Sequence, residues 1–337
     1  MKVISGGEVK DLRALWREGE EIVFIDQRML PHKLVFYRAS SLKEATVAIR
    51  EMIVRGAPAI GAAGALSLAL SHRWGVDLQE AYRRLKETRP TAYDLFYALN
   101  RIRTVMKDDP EGGMVEAERY IEEVVERCRR IGEAGEELLE DGARVLTHCN
   151  AGALATVDWG TALAPIRMAS RRGRRVFVWV DETRPWLQGS RLTSWELMGE
   201  GIEHRIIADN AAGHLMQRGE VDLVIVGADR ITPGGDVANK IGTLEKAVLA
   251  REFGVPFYVA APISTFDPSL KDWRDIPIEE RREEEVLGFG GVKVAPEGAR
   301  AKNPSFDVTP AKYITAYITE LGVIGKDEIK RYLKEVG

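Results

Sequence analysis

The segment RVLTHCNAGALATVDWGTALAPIRMAS, Arg144 to Ser170, followed by RRVFVWVD, Arg174 to Asp181, decides how the chain folds. A short apolar run gives way to a turn of small residues, then to a helical pattern, then to a second apolar run. Strand, helix, strand is the order, and strands joined through a helix cannot be hairpin partners; they lie parallel. The same alternation continues outward through HRIIA (204–208), VDLVIVGAD (221–229) and VPFYVAA (255–261). Between these runs lie SRLTSWELMGE, NAAGHLMQRG and VANKIGTLEKAVLAREFG, all read as helical. The fold class is therefore α/β: a Rossmann-like, mostly parallel sheet with helices on both faces.

Before residue 140 the texture differs. IVFIDQRML and KLVFYRA read as two short strands around a Pro-containing turn, and helical patterns follow. A long amphipathic stretch, AERYIEEVVERCRRIGEAGEELLEDG, ends with Gly142 as a stop signal. The expected division is a smaller, mainly helical N-terminal domain with a short sheet, residues 1–140, and a Rossmann-like catalytic domain, residues 141–337.

Composition narrows the function. A length of 337 residues with 45% hydrophobic content buries a large core, and 48 basic against 52 acidic residues leave a net charge of -4. That balance provides no field for a polyanion, so nucleic acid is not an expected partner. The N-terminus lacks a signal-peptide pattern and the small-residue run 57–70 is too short to span a bilayer, which predicts a soluble, cytoplasmic protein with no membrane partner. Cys128 and Cys149 are too few for a disulfide framework or a zinc site. There is no GxxxxGK[ST] and no early strand-linked GxGxxG, so nucleotide-binding readings lack support.

Open parallel sheets bind ligands beyond the carboxyl ends of their strands. That rule selects Cys149, then Asp181, Glu182 and Arg184, then Asp209 and Asn210, then Asp229 and Arg230, then Ser264 as one rim. Taken alone, Cys149 reads as a packed spacer more readily than as a working thiol, and Asp209 as an N-cap as readily as a ligand. Asp229 closes an apolar strand before a glycine turn and is followed by Asn239 and Lys240, expected at a helix start. RGAPAIGAAGA reads as a close-packed helix, with Arg55 placed before its start like a phosphate clamp. ETRPWLQGSRL carries more Arg and amide side chains than a simple connection needs.

Together, RGAPAIGAAGA, RPTAYDL, THCNAGALAT with GTAL, ETRPWLQGSRLTSWEL, ADNAAGHLM, GADRITPGGDVANKIGT, VPFYVAAPISTFD, IPIEER and NPSFDVTP resemble the 5-methylthioribose-1-phosphate isomerase family, sugar-phosphate isomerases related to translation initiation factor 2B regulatory subunits. The resemblance runs from about Arg55 to Val323. It implies an aldose–ketose isomerase of methionine salvage, without cofactor or metal, acting on a small-molecule sugar phosphate and forming a homodimer. Residue by residue, it makes Cys149 the catalytic thiol and Asp229 the catalytic carboxyl. It assigns Arg55, Gly56, Ala57 and Arg89 to phosphate binding, and Gln188, Asn239 and Lys240 to the remaining substrate contacts.

The chain departs from the family wording at Tyr93 and Asp94 after RPTA, and at Val157, Asp158 and Trp159 before Gly160. Two added carboxylates near substrate loops bear on substrate identity more than on reaction class. Alternatives are therefore a related sugar 1-phosphate, such as 5-deoxyribose 1-phosphate, ribose 1-phosphate or ribose 1,5-bisphosphate, or a non-catalytic regulatory subunit that binds a sugar phosphate or nucleotide. The charged segment from Pro277 to Asn303 reads as a surface excursion, with the IEER and NPSFDVTP portions packing near the site or a partner subunit.

Overall fold

The computed structural model describes residues 1–89, 93–289 and 291–336. Its centre is a seven-stranded sheet in the spatial order Gly322–Ile324, Ala316–Thr319, Phe257–Ala260, Leu223–Val226, Ala143–Thr147, Val176–Asp181, Glu203–Ile207. Every neighbouring pair is parallel except the first, where Gly322–Ile324 runs antiparallel to Ala316–Thr319. Burial follows position. All of Leu223–Val226 is buried, as both faces of a central parallel strand require, whereas the edge strand Glu203–Ile207 presents charged, largely exposed residues that discourage further pairing.

Helices cover both faces. Ile131, Leu163, Ile166, Ala169 and Leu197 pack with Val145, Val178 and Ile225 on one side. On the other, Ala212, Leu215, Met216, Ala247 and Ala250 pack with Leu146, Val224 and Val259. The mixed α/β architecture expected from the alternating pattern is the one observed.

Residues between Leu15 and Cys128 supply most of a second body of packing. Three antiparallel strands, Leu15–Glu18, Glu21–Ile25 and Phe36–Ala39, lie beside helices that surround Ala57–Leu70. That helix has no polar face: every residue from Ala59 to Leu70 is buried, as befits a central helix. Its small residues let neighbours close in, since a Cβ on Gly64 would stand 2.4 Å from a Leu95 methyl. The long amphipathic helix runs Gly112–Glu136, ending before Gly142, and packs on both Leu163–Arg171 and Ala316–Thr319. We propose that the chain divides after residue 140, with this helix as the bridge.

One expected element is different. Val237–Lys240 is not the start of a helix; it is a strand, paired antiparallel with Arg230–Ile231 and with Phe306–Thr309. The helix begins only at Thr243, after Gly242 at φ +100°. The reason lies in TPGGD (232–236), which closes a tight turn with Asp236 N–H donating to Thr232 Oγ1, so the apolar pattern that follows has a β partner already beside it.

Candidate functional site

The order of strands fixes where a ligand goes. From Ala143–Thr147 the chain winds outward through Val176–Asp181 and Glu203–Ile207, then returns to Leu223–Val226 on the opposite flank and winds the other way. The connections leaving those two adjacent strands diverge to opposite sides and leave a crevice at their carboxyl ends. The residues that follow them are His148, Cys149 and Asn150 on one side, and Gly227, Ala228 and Asp229 on the other. Gly227 keeps the two connections close, because a Cβ there would come within 2.7 Å of the Ala151 side chain.

A cavity of about 120 Å³ opens at this point. All nine residues assigned by resemblance line it: Cys149 and Asp229, Arg55, Gly56 and Ala57, Arg89, Gln188, Asn239 and Lys240. They arrive from six separate segments. Arg230 joins them, with Ile60, Pro262, Ile276 and Phe306 supplying apolar wall.

Cys149 is held in a backbone conformation that a side chain resists, φ +65°. Thr183 Oγ1 accepts its N–H at 2.8 Å, and Thr193 Oγ1 donates to its carbonyl at 2.7 Å. Such strain, costing about 1–3 kcal/mol, persists where surrounding bonds over-determine it, and it aims the thiol into the cavity. Burial pushes the thiol pKa up, opposed by the positive charges of Lys240 and Arg55 and by the Asn150 N–H. Burial likewise pushes the Asp229 carboxyl up, opposed by Lys240, Arg89 and Arg55. Lys240 is thus the main cation facing both groups.

Arg55 is 7% exposed and held in place from three directions. Its Nε donates to Gln27 Oε1 at 3.0 Å, one Nη to the Asn150 carbonyl at 2.9 Å, and the other to Asn150 Oδ1. Gly56 follows at φ +92°, where a Cβ would meet the Ala155 backbone at 2.5 Å. No other residue fits this turn, and it brings the N-terminus of Ala57–Leu70, with its free N–H groups, to the cavity. Gln188, 5% exposed, leaves its Oε1 without a hydrogen-bond partner among the described residues. A cavity lined by Arg55, Arg89, Lys240, a helix N-terminus and an unpaired amide oxygen suits an anionic, hydroxylated ligand.

Other rim candidates are engaged elsewhere. Asp209 is neither N-cap nor ligand: its carboxylate accepts the backbone N–H groups of Thr183 and Arg184, each at 2.7 Å. Arg184 reaches the carbonyls of Glu285 and Val286. Asp181 lies under the site, 2.8 Å from His148 Nδ1, with Lys246 Nζ at 3.7 Å. His148, Asp181 and Asp209 bring donor atoms within 4.8 Å of one another; His148 Nε2 also contacts the Ile241 carbonyl, while Asp181 Oδ1 has no hydrogen-bond partner among the described residues. Asp158 is outside the cavity lining, paired with the Met1 ammonium at 2.9 Å and with Arg167 at 3.5 Å. Asp94 is buried behind it, beside Tyr120 and Arg127 in a small cavity that shares Pro58 and Pro262 with the main one. Ser264 lines that smaller cavity rather than the main one.

Sequence reasoning missed the supports. Glu196, 2% exposed, accepts from Asn150 Nδ2 at 2.9 Å and from the N–H groups of Ala153 and Leu154 at 2.7 and 3.2 Å. It therefore anchors the loop after Cys149. Gln27, Asn150, Thr183 and Thr193 complete the frame, and the only sequence signal for Glu196 and the two threonines is their place within ETRPWLQGSRLTSWEL.

The fold and site define an α/β protein with a cation-lined pocket, holding a buried thiol and a buried carboxyl, at a topological switch point. Comparisons with known proteins agree with one another. The model of the initiation factor 2 subunit family matches residues 53–326. A methylthioribose-1-phosphate isomerase from Thermotoga neapolitana is 52% identical, the match covering 94% of this chain and 96% of that one. The crystal structure of 5-methylthioribose 1-phosphate isomerase from Pyrococcus horikoshii superposes with a TM-score of 0.89 at 46% identity, covering 97% of this chain and 96% of that one. A structure from A. fulgidus described as translation initiation factor eIF-2B subunit delta gives 0.84 at 45% identity, over 96% and 100% of the two chains. The chain belongs to the initiation factor 2 subunit family, on the branch of the methylthioribose-1-phosphate isomerases. Among the described residues no helix is long and apolar enough to cross a membrane.

Proposed function

We propose that this chain converts 5-methylthioribose 1-phosphate into 5-methylthioribulose 1-phosphate, using Asp229 and Cys149 as the acid–base pair. The observation that carries the reading is their shared position: a thiol and a carboxyl, both raised by burial and both facing Lys240, meet in one cationic cavity at the switch point. Phosphate on the anomeric oxygen prevents a free aldehyde, so ring opening needs a proton donor. Asp229, protonated, donates to the ring oxygen as the bond from carbon 1 breaks. The Cys149 thiolate takes the proton from carbon 2 and returns it to carbon 1, while the hydroxyl proton on carbon 2 passes to Asp229, restoring both groups. Arg55, Gly56, Ala57 and Arg89 hold the phosphate and fix carbon 1 against the thiol; Gln188 and Asn239 receive sugar hydroxyls; Lys240 opposes burial at both groups, stabilising the Cys149 thiolate and the Asp229 carboxylate left after proton donation.

This reading extends to a homodimer in the cytoplasm; the exposed Phe289, Val292 and Val294 support an apolar contact between copies. The kinship with the A. fulgidus protein favours one competitor, a subunit that binds sugar phosphate without turning it over. Turnover and binding measured on Cys149→Ser and Asp229→Asn separate the two. Each variant is expected to lose several orders of magnitude in kcat while titrating substrate like wild type; near-normal turnover in either removes that residue from the mechanism.

A further inference from the structure

A carboxylate stands at the mouth of a pocket built for an anion. Glu279 lies in the segment that follows the cavity-lining Ile276 and Pro277, and its Oε2 is 3.5 Å from Arg89 Nη2. Its other oxygen is 3.6 Å from Arg281 Nη1. The main chain here is not adrift: the Glu279 carbonyl accepts Ser305 N–H at 2.8 Å, and the Arg281 N–H donates to the Asn303 carbonyl at 2.9 Å. Those partners lead directly into Phe306, which lines the cavity. Arg281 is braced in turn by Glu285 at 2.9 Å. A smaller cavity of about 40 Å³, bordered by Arg89, Glu279, Arg281, Gln188 and Lys240, adjoins the main one through Arg89, Gln188 and Lys240. Glu279 also adds negative charge felt by Asp229.

We propose that Glu279 is a positioning residue that holds Arg89 until substrate binds and yields it to the substrate's phosphate, passing to Arg281, its second partner. This rests on the reading of Arg89 as a phosphate ligand. A dianion in the cavity competes directly with the Glu279 carboxylate for one guanidinium and is repelled by it until the carboxylate turns away. Because Arg281 is within ionic reach from the start, the exchange needs a side-chain rotation and no movement of the braced main chain. The arrangement keeps Arg89 oriented between turnovers and weakens retention of a phosphorylated product.

Calorimetric titration with inorganic phosphate at pH 8, on wild type, Arg89→Met, Glu279→Gln and Glu279→Asp, tests both layers. Expected are measurable binding to wild type, loss in Arg89→Met, roughly three- to tenfold tighter binding in Glu279→Gln, and wild-type affinity in Glu279→Asp. Glu279→Gln is also expected to lower KM for the sugar phosphate without raising kcat, and to move the limb of the pH profile set by Asp229 to lower pH. Phosphate binding that is abolished in Arg89→Met yet unchanged or weaker in Glu279→Gln overturns the exchange while leaving the phosphate site standing. Undiminished binding in Arg89→Met overturns both.

Discussion

Asp94 offers the sharpest test of how burial sets charge in this protein. The residue is 3% exposed, its Oδ2 has no hydrogen-bond partner among the described residues, and burial pushes its pKa from 3.8 to about 7 against the pull of Arg127. The folded state therefore holds this proton more tightly than the unfolded chain does. The stability Asp94 contributes is fully present below pH 4 and is lost as pH rises through about 7, because only the unfolded chain ionises freely in that window. At 1.36 kcal/mol per pH unit, and allowing for the fraction ionised at each end, the loss between pH 5 and pH 8 is about 2.5 kcal/mol. Asp94→Asn keeps the shape and removes the titration. Guanidinium unfolding of both proteins at pH 5 and pH 8 is expected to show the variant gaining about 2.5 kcal/mol on wild type across that interval. A variant-minus-wild-type difference that is the same at both pH values refutes the reasoning, since a pure packing effect does not depend on pH.

Three further outcomes follow from the site geometry. Because burial raises the Cys149 thiol, alkylation by iodoacetamide is expected to go on accelerating above pH 8.5 or so, where an ordinary thiol is half ionised; a plateau below pH 8 contradicts the environment described. Cys128 is 1% exposed and pushed to about 12, so mass spectrometry is expected to find the label on Cys149 alone. Gly56→Ala forces a Cβ into the Ala155 backbone at φ +92°, and is expected to cost about 2–4 kcal/mol and to weaken phosphate binding; wild-type melting and affinity count against the turn's role.

Much of the sheet was legible because its strands are buried on both faces and read as unbroken apolar runs. VFVWVD and LVIV needed no partner to be recognised, and the strand-end rule then pointed to Cys149 and Asp229. It did not separate them from Asp181 and Asp209, which occupy equivalent strand ends but one and two strands further out from the switch point. That distinction depends on strand order, which no local pattern carries. Val237–Lys240 was misread because a four-residue strand held by a non-local partner, Phe306–Thr309, looks like the first turn of the helix behind it. Cys149 by itself could not be told from a packed spacer; its neighbourhood, shared with a family, made the difference. Glu196 stayed hidden for a related reason, since it acts through Asn150, a residue distant in sequence, and IEER pointed toward the site without singling out Glu279, whose partner Arg89 is equally distant.

The most direct test of the whole account is phosphorus and proton NMR of the purified protein mixed with 5-methylthioribose 1-phosphate, beside ribose 1-phosphate, 5-deoxyribose 1-phosphate and ribose 1,5-bisphosphate. Conversion of 5-methylthioribose 1-phosphate to the ketose 1-phosphate with no added cofactor, faster than for any other member of the panel, is the predicted result. An unchanged spectrum with all four, from a protein that nonetheless binds phosphate, contradicts the isomerase reading and leaves a binding subunit in its place.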